Sequence, residues 1–255
     1  MSQIQAHEPR TAPLSEEQIR QYQEYGYLVL PQGCSADLIH AYNAHIHSIR
    51  SADPIPEWAF PRKRGQEFVS EEERFSVRLF NPHKHDGFSV QMLKLPVVRG
   101  ALAQLMGDEA VGIQSMYFYK EPGSPGQAAH QDYYYIRNEP DTMIAAWIAM
   151  ERVDEENGCL WVIPGSHKLG LLPHGAVKNV QEHEPWTKET ENIDLSKELP
   201  VRLNKGDILF FHSLLIHSST RNRSLDRWRR SYVCHYIRHD SVIEREDLKV
   251  KYRLD

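Results

Sequence analysis

The segment Ala128-Ala129-His130-Gln131-Asp132-Tyr133-Tyr134-Tyr135 places an imidazole and a carboxylate two residues apart in a run rich in strand-forming aromatics. Along a strand, residues i and i+2 point to the same face, so His130 and Asp132 are predicted to aim one nitrogen and one oxygen at a common point. Two imidazoles and one carboxylate on one side of a first-row metal, with the opposite positions open, form the facial site of non-haem Fe(II) oxygenases. A second histidine is therefore needed. Ile208 to Ser219 carries two, His212 and His217, which fall on opposite sides of an extended segment, and one of them is expected to complete the site. Further on, Trp228-Arg229-Arg230 enters the strand Ser231 to Tyr236. An inward arginine there suits a bidentate pair with a carboxylate, because guanidinium is planar and permanently charged. A dicarboxylate such as 2-oxoglutarate could chelate the metal at one end and meet the arginine at the other.

Such a site needs rigid elements to position it. With 255 residues and 40% hydrophobic content, the chain can bury a substantial core. Residues 1–13 are polar and read as a flexible N-terminus; residues 14–255 read as a single domain, with the metal-binding β core at about 111–238. Ser15-Glu16-Glu17-Gln18 has the capping-box form and opens a short helix ending near Gly26, followed by a brief strand, Tyr27 to Leu30. Ser35 caps a second helix, in which Leu38, Tyr42, Ile46 and Ile49 recur at helical spacing, while His40, His45 and His47 read as surface histidines. Ser51 to Arg74, charged and broken by Pro54, Pro56 and Pro61, reads as a long loop. Phe75 to Phe80 nearly alternates, as a half-buried strand does, and leaves Arg78 among apolar neighbours, where it either needs a partner if buried, because an unpaired buried charge is costly, or lies on the strand's wet face, the expected placement. Pro96 opens a helix that Gly107 stops.

Strands dominate from there: Val111 to Lys120, the metal-motif segment, Thr142 to Arg152, Cys159 to Ile163, Leu199 to Leu203, Ile208 to Phe211 and Ser231 to Ile237. Turn signals separate them, at Glu139-Pro140-Asp141, Glu156-Asn157-Gly158, Pro164-Gly165 and Lys205-Gly206-Asp207. Many short strands with frequent turns predict a mainly β fold with flanking α, a jelly-roll core with N-terminal helices packed outside. Tyr133, Tyr134 and Tyr135 are expected to alternate in and out. Gly170 to Glu198 has weak periodicity and reads as a rim insertion of the kind that shapes substrate pockets.

The formal charge of −5 gives no electrostatic footprint for nucleic acid or an anionic membrane. Five arginines crowd residues 221–230 and read as a solvated loop with one functional member. Cys34, Cys159 and Cys234 are odd in number and widely spaced, which argues against a disulfide framework and for small core residues. No run approaches the ~18 apolar residues of a membrane span, and residues 1–13 lack the apolar centre of a signal peptide. A soluble cytoplasmic protein with a small-molecule partner is expected, without nucleic-acid or membrane partners.

The ordered set His130-Gln131-Asp132, then Glu156-Asn157-Gly158 through Pro164-Gly165-Ser166-His167, then Lys205-Gly206-Asp207 through His217-Ser218-Ser219, and finally Arg229, resembles the phytanoyl-CoA dioxygenase family. The likeness runs from about Gln114 to Tyr236, with a weaker echo in the N-terminal helices. A lone His-x-Asp pair is common; the ordered set is specific. The resemblance implies a double-stranded β-helix of the cupin-like kind that uses Fe(II), 2-oxoglutarate and O2. By position it implies His130, Asp132 and His217 as iron ligands and Arg229 as the residue holding the distal carboxylate of 2-oxoglutarate, with Arg227 and Arg230 as the neighbours a shifted loop alignment would substitute. It also implies that Met116 and Trp147 line the co-substrate pocket, that Ser219 lies beside the arginine, and that Arg78 reaches the co-substrate. The implied default reaction is hydroxylation of an unactivated C–H bond with release of succinate and CO2. Related halogenating sites replace the carboxylate ligand by a small residue, which Asp132 argues against. The alternatives are a cupin-like metalloenzyme without 2-oxoglutarate and a non-catalytic jelly-roll binding module. The Asn-Gly and Pro-Gly-Ser-His segments read as turns, with His167 the one side chain among them that could face substrate.

Overall fold

Ser15 accepts a hydrogen bond from the Gln18 N–H at 3.2 Å, and the Gln18 side chain accepts from the Ser15 N–H at 2.9 Å, so the predicted capping box closes. It starts α1 (Glu16–Tyr25), which stops at Gly26, whose φ of 79° is the left-handed cap that an L side chain resists. After β1 (Tyr27–Leu30), Ser35 caps α2 (Ala36–Arg50). Tyr42 and Ile46 are buried there with Leu38 and Ile49 packed beside them, as the spacing predicts. His40 and His47 are exposed, whereas His45 bonds Asp86 at 2.7 Å. That aspartate also caps α3 (Gly87–Leu93), a helix the sequence pattern does not announce. α4 (Pro96–Met106) runs from Pro96 to Gly107 as expected.

The computed structural model describes residues 13–59 and 78–255. The expected flexible N-terminus up to residue 12, the expected loop beyond residue 59 and the first half of the strand expected over Phe75 to Phe80 fall outside the described residues. Within the loop, Glu57–Ala59 forms a single 3-10 turn.

β2 (Arg78–Phe80), β3 (Ala110–Lys120), β6 (Ile144–Ala149), β11 (Ile208–His212), β13 (Arg229–Arg238) and β15 (Tyr252–Arg253) join β1 in a seven-stranded antiparallel sheet. Its order is β1-β11-β6-β13-β3, with β2 and β15 sharing the outer edge of β3. A second, four-stranded sheet takes β4 (Gln127–His130), β7 (Leu160–Val162), β10 (Leu199–Val201) and β12 (His217–Ser219) in the order β10-β7-β12-β4. Two short pairs complete the set, β5 (Asn138–Glu139) with β14 (Val242–Ile243), and β8 (His174–Ala176) with β9 (Lys188–Thr190).

Alternation along the large sheet sorts its side chains into two cores. Tyr117 and Tyr119 of β3, Ile144, Ala146 and Ile148 of β6, and Tyr232, Cys234 and Tyr236 of β13 pack with the helices. Phe118, Ala145, Trp147, Ala149, Leu209, Phe211 and Val233 face the other way, into one apolar core with Leu160, Val162 and Val201 of the small sheet. The helices thus cover one face of the large sheet and the small sheet covers the other, which is why Ile144–Ala149 is buried at every position. Among the described residues no strand is hydrogen-bonded into both sheets, so the expected jelly roll is present as two facing sheets and not as a closed barrel. All three cysteines are buried and free. No helix among the described residues is long and apolar enough to cross a membrane.

One glycine sets how closely the sheets' loops approach. A Cβ on Gly126 would lie 1.9 Å from the Ser219 carbonyl oxygen, and Gly126 also exchanges backbone hydrogen bonds with Glu182 and Glu184. Gly126→Ala is therefore expected to lower the thermal midpoint by about 2 to 10 °C, the range that follows from overpacking a site whose neighbour is backbone. Gly100→Ala, on an open face of α4 where a Cβ meets nothing within 4 Å, should leave the midpoint unchanged or raise it. Differential scanning calorimetry of both variants checks this.

Candidate active site

β4 stops at His130. Gln131 is still extended, with φ −118° and ψ 128°, and the chain then turns into a 3-10 segment over Asp132–Tyr134. One extended residue is enough to preserve the same-face relation, so His130 and Asp132 do converge. The strand expected through Tyr135 does not exist, and the in-and-out alternation of the three tyrosines fails with it, because a 3-10 turn fans its side chains around an axis. Tyr134 stacks on His174 at 4.3 Å, and the Tyr135 hydroxyl accepts from the Lys188 N–H. Gln131 fixes the bend: fully buried, its amide nitrogen donates to Gly170 O and Leu214 O at 2.8 Å each, and its amide oxygen accepts from the Leu172 N–H at 2.9 Å.

β12 pairs with β4 so that His217 lies opposite His130, with ring centroids 4.2 Å apart. Oδ1 of Asp132 is 3.5 Å from His130 Nε2 and 3.8 Å from His217 Nε2, and the three ligand atoms lie within 4.8 Å of one another. The opposite ring nitrogens are committed: His130 Nδ1 donates to Ala128 O at 2.8 Å and His217 Nδ1 to Leu215 O at 2.9 Å. Both Nε2 lone pairs therefore face the cluster, the tautomer a ligating histidine needs. The Gln127 side-chain amide, 3.0 Å from His130 Nε2, donates to that lone pair. Burial, with His130 beside it, pushes the His217 imidazole down to about 4. Burial alone would raise Asp132, but His217, His130 and His235 outweigh it and hold the carboxyl well below the usual range. Two imidazoles with their Nε2 atoms turned inward and an ionised carboxylate fit a divalent first-row ion.

His212, the other candidate, is not in the cluster. It ends β11 on the opposite side, where its Nδ1 accepts from the Leu214 N–H at 3.1 Å and its ring packs 5.3 Å from that of His167. His167 sits against α1, with Nε2 3.3 Å from Gln23 O, and so belongs to that packing and not to the cluster. Among the described residues, His130, Asp132 and His217 form the one group of this kind.

The five arginines of residues 221–230 differ in their partners. Arg227 makes two bonds to Asp154, at 2.8 and 2.7 Å, and a further one to Glu156; Arg230 pairs with Glu151; Arg223 bonds Glu182 at 2.6 Å; Arg221 reaches the carbonyls of Gly123 and Gln181. Arg229 alone of the five is buried. Its Nε donates to Gly158 O at 3.1 Å, Nη1 lies 3.4 Å from Ser231 Oγ, and no carboxylate among the described residues bonds it. Phe118 and Trp147 flank the guanidinium, each ring 5.6 Å from its carbon, and burial pushes its pKa down to about 10. Met116 precedes Phe118 by two on the same face of β3.

Three further residues lie at the site, Lys120, Glu184 and His235, and the sequence pattern does not single out any of them. Lys120, opposite Arg229 across the β3–β13 ladder, is 1% exposed; its Nζ donates to Pro125 O at 2.8 Å and to Ser219 Oγ at 3.3 Å. Burial, then Arg229, holds this amine well below the ordinary lysine range. Ser219 Oγ also accepts from the Gln127 N–H at 3.0 Å, so both its lone pairs are used and its proton is left to donate. Arg78 is not on a wet face. It is buried, ion-paired with Glu184 of the rim insertion, with Trp186 and Phe118 rings 4.4 and 4.9 Å from its guanidinium carbon. The wet-face expectation fails because Glu184 brings the countercharge that makes burial tolerable. The third is His235, buried on β13, with Nε2 3.1 Å from Asp132 Oδ2. Lys120 and His235 had a signal, since each shares the period-two phase of flagged residues; Glu184 had none.

His130→Ala and His217→Ala are each expected to weaken Fe(II) binding by more than about a hundredfold, beyond what loss of an outer-shell partner costs. His212→Ala should stay within about threefold of the unsubstituted protein. Anaerobic Fe(II) titration, with circular dichroism to confirm the fold, distinguishes the two histidines.

Residues 22–231 match the family model for phytanoyl-CoA dioxygenase (PhyH), so the likeness starts well before Gln114 and takes in the N-terminal helices. The rat peroxisomal phytanoyl-CoA dioxygenase is 30% identical over 241 residues, covering 88% of this chain and 68% of its own length. The bovine phytanoyl-CoA dioxygenase domain-containing protein 1 is 31% identical over 268 residues, covering 89% of this chain and 91% of its own. A solved structure, the non-haem α-ketoglutarate-dependent carbocyclase SnoK from nogalamycin biosynthesis, has the same fold, with a TM-score of 0.66 at 24% identity over 90% of this chain and 88% of that one. The expected cytoplasmic location does not stand: the rat, bovine and mouse phytanoyl-CoA dioxygenases matched over 88% of the chain are peroxisomal. Composition and charge carry no mark that tells those two compartments apart. The chain belongs to the phytanoyl-CoA dioxygenase family, and its two imidazoles and one carboxylate make it an Fe(II)/2-oxoglutarate-dependent oxidoreductase.

Proposed function

We propose that this protein hydroxylates an unactivated C–H bond of a small molecule, with conversion of 2-oxoglutarate to succinate and CO2, at an iron held by His130, Asp132 and His217. Residues 14–255 act as one catalytic unit whose two facing sheets form a double-stranded β-helix. The observation that carries the reading is Arg229, a buried guanidinium with no carboxylate bonded to it among the described residues, flanked by Trp147 and Phe118. A buried charge without a countercharge costs several kcal/mol, and an incoming carboxylate offsets that cost. Ser219 supplies a hydroxyl proton beside it, because its oxygen already accepts twice. Arg229 and Ser219 hold the distal carboxylate, Trp147 and Met116 wall the carbon chain, and Arg78, braced by Glu184, adds positive charge to the same pocket. O2 would be the oxidant, activated at the bound Fe(II) with 2-oxoglutarate as the two-electron reductant, so that one oxygen atom goes to succinate and the other to the product, while the chain binds, orients and excludes water.

A cupin-like metalloenzyme without 2-oxoglutarate leaves this buried cationic pocket without a role, and succinate formation separates turnover from a non-catalytic binding module. SnoK is a carbocyclase, so a shared fold accommodates more than one oxidative outcome, and the products decide between them. Metabolites that bind the anaerobic Fe(II)/2-oxoglutarate protein should, on exposure to oxygen, form succinate together with a product heavier by one oxygen atom. A product lighter by two hydrogens would replace hydroxylation by desaturation or ring closure.

Arg229→Ala is expected to raise the Kd for 2-oxoglutarate by about thirtyfold to a thousandfold, the equivalent of roughly 2 to 4 kcal/mol for truncating one partner of a partly buried charge pair. Iron affinity should change little. Arg229→Lys should recover part of the loss, since an ammonium lacks the planar fork. Arg227→Ala, which removes a surface pair, should leave 2-oxoglutarate binding unaffected. The metal-to-ligand absorption band, followed during anaerobic titration, reads all three; unchanged affinity in Arg229→Ala would refute the co-substrate assignment.

A further inference from the structure

β13 brings a third histidine to the metal-binding cluster. His235 is buried, paired across the sheet with Gln114 of β3 and Ala145 of β6, and its Nε2 lies 3.1 Å from Oδ2 of Asp132. A carboxylate only accepts, so the imidazole donates. The two oxygens of Asp132 thus have different neighbours. Oδ1 is the atom 3.5 and 3.8 Å from the two ligand imidazoles, and Oδ2 is the atom bonded to His235. The other ring nitrogen of His235 has no hydrogen-bond partner among the described residues, so holding Oδ2 is the one polar contact the ring makes there.

We propose that His235 is a positioning residue that restricts Asp132 to one-oxygen ligation and so keeps a coordination position open. The inference rests on reading His130, Asp132 and His217 as metal ligands. Carboxylates bind metals through one oxygen or through both. With both, the two imidazoles, the carboxylate and a chelating 2-oxo acid fill an octahedron; with one, a position is left over. The hydrogen bond to Oδ2 selects the second arrangement, and in a site with little water it is stronger than the same bond in solvent. The backbone that carries the ring is paired with β3 on one side and β6 on the other, which fixes the point from which the imidazole reaches Asp132.

The test uses nitric oxide as a stable probe of the open position, in the intact protein loaded anaerobically with Fe(II) and 2-oxoglutarate. His235→Leu keeps bulk and removes the donor; His235→Gln keeps an N–H donor of similar reach. Loaded at saturating Fe(II), because loss of an outer-shell partner weakens metal binding by about tenfold to a hundredfold, His235→Leu should still take up Fe(II) and 2-oxoglutarate yet bind nitric oxide at least about tenfold more weakly, as read by the electron paramagnetic resonance of the nitrosyl. His235→Gln should return nitric oxide affinity to within about threefold of the unsubstituted protein. Unchanged nitric oxide affinity in His235→Leu overturns the proposal. So does a His235→Gln protein as impaired as His235→Leu, which would make packing and not the hydrogen bond responsible, and so does failure of His235→Leu to take up Fe(II) at saturation. Failure of the unsubstituted protein to take up Fe(II) and 2-oxoglutarate would instead refute the reading of the triad.

Discussion

The geometry of the site depends on the side chain of Gln131. It sits between the first two proposed ligands, is completely buried, and satisfies every polar group it has with backbone from two other segments, at Gly170, Leu172 and Leu214. Leaving such groups unpaired in the interior would cost on the order of 1 to 3 kcal/mol each, so the arrangement is strongly specified. Through it, the end of β4, the start of the rim insertion and the approach to β12 are held in one register. His130 and Asp132 flank Gln131 in the first of these pieces and His217 opens the strand the last leads into, which is why a residue without a ligand atom in the cluster decides where the ligand atoms meet.

A second constraint is charge burial. The pocket gathers Arg78, Lys120 and Arg229 in the interior with Glu184 as the carboxylate among them. Each cation is tolerated for a different reason. Arg78 has an ion pair and aromatic faces; Lys120 donates to a carbonyl and a hydroxyl; Arg229 has one carbonyl, a distant hydroxyl and two ring faces. Arg229 is the least compensated of the three, and an anion gains most by binding where compensation is least. The surface arginines a few residues away show the contrast, since each already has its acceptors.

The rim insertion is part of both constraints. His174 stacks on Tyr134 and accepts from the Gln131 N–H at 3.2 Å, and Glu184 reaches Arg78. Gly126, which no larger residue could replace without displacing Ser219, lets the segment carrying Glu184 lie against the start of β4. A segment with weak periodicity thus contributes through single contacts, and that is the reason it has little pattern to read.

Residues close in sequence were legible. The capping box at Ser15, the helix stops at Gly26 and Gly107, the alternation that splits β3, β6 and β13 into two faces, and the convergence of His130 with Asp132 all follow from spacing over a few residues. Local spacing also placed Lys120 and His235 in phase with residues of the site, though their roles went unread. Spacing alone left His217 and His212 open, and Arg229 with its neighbours; the family resemblance ranked them, and the fold supplied the contacts that separate them, as it did the burial of Arg78. In each case the deciding group lies far along the chain: His130 opposite His217, Glu184 against Arg78, and Asp154, Glu156 and Glu151 on the neighbouring arginines. Whether a charge is buried or solvated depends on its countercharge, and a countercharge a hundred or so residues distant leaves no periodicity to detect, so the sequence determined which side chains could act and the tertiary structure decided which of them face one another.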